Sequence, residues 1–201
     1  MFLVRVSKLQ ALNRHRAERA VPMEPHQDLL LRGDLVNYDD LPEGTVVIFV
    51  SHEWLSWPHP DPKGVQMATL CRILQRLADG ELDVEMHPTH QLVYKQKRTT
   101  TKKEWKEMFA DDKVYIWFDW LSMPQSAGAP PDVSAEEMVE LKVGGKNAIM
   151  SIPAYIELSD FMLVVAPGSK HEDRNALTCY GSWRGRGWVR ESRQQTYELM
   201  R

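Results

Sequence analysis

The sequence predicts an α/β fold of three layers, a mainly parallel sheet with helices on both faces. Two observations predict it. Three uninterrupted apolar runs rich in β-branched and aromatic residues, TVVIFV (45–50), VYIWF (114–118) and FMLVVA (161–166), have the length and composition of strands buried on both sides. Stretches of helical periodicity separate them, and strands alternating with helices imply crossover connections between parallel neighbours.

The elements follow in order. Leu3, Val6, Leu9 and Leu12 fall at helical spacing ahead of several basic residues, which predicts a weak amphipathic helix over 3–19 closed by Pro22 and Pro25. Residues 26–45, punctuated by Gly33, Pro42 and Gly44, read as an irregular lead-in. Residues 1–45 are therefore expected to precede an α/β domain spanning 46–201. The first strand runs into SHEWLSWPHPDP (51–62), where Pro58, Pro60 and Pro62 enforce a rigid loop. A helix over about 64–78 places Val65, Ala68, Thr69, Ile73, Leu74 and Leu77 near one face, with Gly80 to end it.

Residues 81–112 form an insertion. Short strands are expected near 82–86 and 92–94 around Pro88, then a basic stretch over 95–103, then one or two helical turns with Trp105, Met108 and Phe109 inward. The central strand, 114–118, ends on Asp119. Beyond a Gly/Pro loop, Ser134 and Glu137 have capping-box spacing. Gly144 and Gly145 should interrupt the helix they start, and a second helical piece over 148–158 should kink or restart at Pro153. The third strand closes on Pro167 and Gly168, followed by a polar loop over 168–187 and a helical pattern over 188–200.

Composition excludes several classes. Net charge −3 and a pI near 6.2 argue against a nucleic-acid binder that relies on bulk electrostatics. No apolar stretch approaches the roughly 20 residues of a membrane span, and the first residues lack a secretory leader. Cys71 and Cys179 are too few for a disulfide framework, so a reducing, cytoplasmic location is expected.

The chemistry-bearing residues cluster at strand ends. A carboxylate just past a buried strand occupies the position where open α/β sheets bind ligands, which makes Asp119 a candidate; a cap for the following turn is the alternative. Ser51, His52 and Glu53 end the first strand, where His52 and backbone donors would hold a phosphate or a ribose hydroxyl, or where Trp54 and Trp57 simply pin a loop. Ser51 lacks the Gly-x-Ser-x-Gly elbow of a hydrolase, which leaves a small-molecule hydrolase using His52 and Asp119 as the weakest alternative. His52, His59 and Asp61, or His87 and His90, lack a third ligand at metal-type spacing, so no metal is expected. Arg184, Arg186 and Arg190, set among glycines at a helix start, suit either a pyrophosphate or a solvated basic loop.

Four segments in this order, VVIFVSHEW (46–54), WFDWLSMPQ (117–125), AIMSIPAYIELSDFMLVV (148–165) and WRGRGWVRE (183–191), resemble the TIR-like superfamily and within it the heterokaryon-incompatibility (HET) type of domain. The resemblance implies a flavodoxin-like sheet and signalling by self-association into a homo-oligomer. It also implies cleavage of NAD at the nicotinamide–ribose bond by a glutamate at the start of the last helix. Glu191 takes that position, with Asp119 beside it as a pocket acid and Ser51, His52, Trp54, Arg186 and Trp188 as the nucleotide-binding set. Glu191 lies one residue closer to its tryptophan than in those families, a rotation of about 100° on a helix, and Val189 stands where the TIR version has cysteine. A non-catalytic homotypic interaction module of the same fold is the alternative.

Overall fold

The computed structural model describes residues 1–185 except 87, 89, 90, 93, 94 and 96. Phe2–Arg5 (β1) is a strand and the helix starts only after it, as Val6–Arg19 (α1). His26–Leu31 (α2) and Leu35–Asn37 (β2) follow, so the expected irregular lead-in holds a helix and a strand, and residues 1–45 together contribute two strands and two α-helices. Both strands are too short for a period-2 pattern to declare itself against the helical spacing that overlaps it. Val46–His52 (β3) leads through the proline loop to Val65–Ala78 (α3). Val84–Glu85 (β4) and Thr99–Thr100 (β5) pair as a two-stranded ribbon, and Lys102–Ala110 (α4) begins with a capping box between Thr101 and Glu104.

Val114–Phe118 (β6) passes directly into the single turn Asp119–Ser122 (α5). Ala135–Met150 (α6) starts at the expected Ser134–Glu137 capping box but runs unbroken through Gly144 and Gly145. The glycines make room rather than a break: a Cβ at Gly144 would stand 3.2 Å from the Pro124 ring, and one at Gly145 would stand 3.1 Å from the Pro124 carbonyl oxygen. The helix restarts as Ile152–Glu157 (α7) with Pro153 in its first turn, where a missing N–H costs nothing. Phe161–Val165 (β7) ends the main sheet. The expected polar loop holds a small ribbon, Ser169–Lys170 (β8) with Leu177–Thr178 (β9), and the short helix Tyr180–Arg184 (α8).

The main sheet has the order β2-β1-β6-β3-β7. Strand β3 lies between β6 and β7 and is parallel to both, with Ile48 opposite Ile116 and Phe161. Strand β1 is antiparallel to both β2 and β6, so the sheet is mixed and mostly parallel, with one reversed strand inside it. Side chains alternate across it. Ile48, Val50, Ile116 and Phe118 pack with Leu9 of α1, Leu70 and Leu74 of α3 and Trp105 of α4, while Val47, Phe49, Tyr115 and Trp117 pack with Ala148 of α6 and Ile152 of α7. Helices thus cover both faces, in three layers. The buried stripe of α3 is turned from the expected one: Gln66, Met67 and Leu70 point inward and Val65 and Ala68 face solvent. No helix among the described residues is long and apolar enough to cross a membrane.

Candidate functional site

Because β3 and β6 are adjacent and parallel, their carboxyl ends bring His52 and Asp119 together. The His52 ring stacks on Phe118, centroid to centroid 4.4 Å, and its Nε2 lies 2.8 Å from Asp119 Oδ1. Its Nδ1 lies 2.6 Å from Gln66 Oε1. The Gln66 amide donates through Nε2 to the Glu53 carbonyl at 2.7 Å, which turns its oxygen toward the imidazole. Both ring nitrogens therefore face acceptors and both must donate, which is the imidazolium form.

Asp119 is the matching anion. Besides His52, it accepts the Trp54 indole N–H on Oδ2 at 2.8 Å and the Trp120 backbone N–H on Oδ1 at 2.6 Å. Burial pushes the Asp119 carboxyl up, but the charge and hydrogen bond of His52, with the donors of Trp54 and Trp120, outweigh it and hold the group below the usual carboxylate range. Burial likewise pushes His52 down, and the Asp119 charge and the bonds to Asp119 and Gln66 reverse this to a raised value. The contact geometry and the direction in which each group is displaced favour the ion pair over its neutral form. What it offers is a fixed carboxylate. Among the described residues Oδ2 receives only the Trp54 indole, and the side chain is 23% exposed, which leaves a lone pair for a ligand hydroxyl. Gln125 Nε2, 2.9 Å from the Asp119 carbonyl, fixes the backbone beneath it.

Asp119 and His52 open on a cleft of about 810 Å³, large enough for a small organic ligand. Its floor is the sheet, with Phe49 and Trp117 stacked at 4.4 Å, and its far wall is α6 and α7, including Ile149 and Ile156. Lys142 and Lys146 line the helix side. Ser51 also lines the cleft, but its Oγ accepts from the Trp183 indole at 2.9 Å and is not seated on His52, so the hydrolase alternative lacks its nucleophile–base contact.

The histidine and aspartate weighed as metal ligands have other partners. His59 donates through Nε2 to the Met23 carbonyl and accepts the Asp61 N–H on Nδ1, while Asp61 caps the Met67 N–H. Among the described residues no three His, Cys, Asp or Glu side chains gather as a metal site. Glu191, Trp188, Arg186 and Arg190, with His87 and His90, lie outside the described residues.

No family model, curated protein or solved structure matches this chain.

Sequence reasoning singled out His52, Trp54 and Asp119, which the structure joins by hydrogen bonds, but not Gln66, which holds the other side of the His52 ring. Gln66 carried no signal, since a glutamine in the first turn of an amphipathic helix is ordinarily solvated; here it is 2% exposed. Lys142 and Lys146 carried no signal either, because the expected break at Gly144 and Gly145 fell between them.

Proposed function

We propose that the chain is a TIR/HET-type signalling domain that self-associates and binds NAD in this cleft, hydrolysing the nicotinamide–ribose bond. The observation that carries the reading is the ionised Asp119 at the carboxyl ends of two parallel strands, facing a cleft of nucleotide size. In such a reaction the C1′–N bond breaks, neutral nicotinamide leaves, and water captures the ribosyl cation. A nearby carboxylate stabilises the positive charge that develops. Asp119 Oδ2 would hold a ribose hydroxyl, and Glu191 is the residue to which the resemblance assigns the catalytic carboxylate. His52, Trp54 and Trp120 orient the Asp119 carboxylate and keep it ionised.

The test is release of nicotinamide from NAD by purified protein at high concentration, resolved by chromatography. Glu191→Gln and Asp119→Asn should each lower the rate by about 100-fold or more. Absence of release from the parent protein sinks the catalytic reading. One observation favours the non-catalytic homotypic module instead: Val139, Val143 and Met150 expose an apolar stripe on α6. Under that reading sedimentation velocity shows concentration-dependent association while NAD stays intact.

A further inference from the structure

The cleft has two unlike ends. At the carboxyl ends of β3 and β6, His52 and Asp119 cancel each other's charge, 2.8 Å apart. Along the helix wall, Lys142 and Lys146 stand one turn apart on the same side of α6, and among the described residues neither meets a carboxylate. The described lining therefore carries surplus positive charge on a chain whose net charge is −3, so the cleft attracts anions although the molecule as a whole does not. The rest of the lining is mostly apolar, with Trp117, Phe49, Ile149, Ile152 and Ile156. A ligand matching these groups needs hydroxyls for Asp119, phosphate for the lysines and a flat apolar part to lie against the walls.

We propose that Lys142 and Lys146 are the phosphate-recognition residues of the cleft, and that its ligands are nucleotides carrying a diphosphate, held with the phosphates on α6 and a ribose at Asp119. This rests on reading the cleft as a nucleotide site, and it names the part of the ligand that supplies affinity. Two ammonium groups one helical turn apart straddle a diphosphate as point charges without demanding a fixed orientation. Diphosphate affinity falls as salt rises, because both lysines are exposed to solvent.

Isothermal titration with ADP-ribose, ADP and adenosine, on the parent protein and on Lys142→Gln/Lys146→Gln, tests the assignment. The parent should bind ADP and ADP-ribose at least about tenfold more tightly than adenosine. The double variant should lose that preference while its adenosine affinity and melting temperature stay unchanged, since both side chains lie on the surface. Lys146→Glu should weaken ADP further still. Equal loss for adenosine and ADP, or no loss for either, overturns the lysine assignment and leaves nucleotide binding standing. No binding of any of the three by the parent overturns both. Lysine-dependent ADP binding without nicotinamide release upholds the assignment and removes only the hydrolase.

Discussion

At the scale of single residues, the imidazolium assigned to His52 has a direct signature. A nitrogen-NMR titration should show both His52 ring nitrogens protonated at pH 6, with a midpoint above the ordinary 6.5; a neutral tautomer at pH 6 would contradict the hydrogen-bond reading. The pair also shapes stability against pH. His52, raised in the fold, contributes fully below about pH 6.5 and loses that contribution as pH climbs through its folded value. Asp119, lowered in the fold, contributes fully above about pH 4 and loses it as pH falls through its folded value. The pair therefore stabilises most between roughly pH 4 and 6.5. His26 and His59 are lowered chiefly by burial and oppose the trend, favouring the fold above about pH 6.5. Melting curves of Asp119→Ala against the parent isolate the pair: the variant leaves a buried cation without its partner and should lose about 3 kcal/mol near pH 6, with a smaller deficit near pH 9. The two thiols differ as well. Burial pushes Cys71 up to about 11, whereas the backbone N–H groups of Ser182 and Gly181 draw Cys179 down, so a disulfide reagent at pH 7.5 should modify Cys179 first.

At the scale of elements, close approach decides what composition alone could not. A Cβ on Gly128 would fall 2.6 Å from the Pro25 ring, closer than side-chain carbons tolerate, and neither ring nor turn yields easily. Gly128→Ala should lower the melting midpoint by an amount equivalent to about 1–2 kcal/mol, and an unchanged melt would show that the Pro25–Gly128 contact gives way. The same logic explains why α6 was misjudged. Two glycines in a helix look like a break because each costs about 1 kcal/mol against alanine, yet here they admit Pro124, which no local pattern announces. The long strands were legible because five or more apolar β-formers leave little ambiguity, and His52 and Asp119 were legible because they end those strands. Gln66 was not, since its role depends on how α3 rotates against β3. Strand β1 was not, because four residues satisfy the periods of helix and strand together.

At the scale of the whole molecule, the first strand is structural and cannot be treated as an appendage. Leu3, Val4 and Leu9 are each 0% exposed, and β1 pairs with β2 on one side and β6 on the other. A fragment of residues 46–201 should thus be insoluble or melt without cooperativity, because β6 would present an open apolar edge. A soluble, cooperatively melting fragment would show that the N-terminal segment is dispensable.

The position of that strand also sets the order of assembly. Val4 can pair with Leu35 soon after synthesis, but its other edge has no seat until Ile116, more than a hundred residues later, has followed it out of the exit tunnel. Until then its apolar side chains are company for chaperones. Synthesis slowed anywhere before Phe118 prolongs that exposure and should lower the yield of soluble protein.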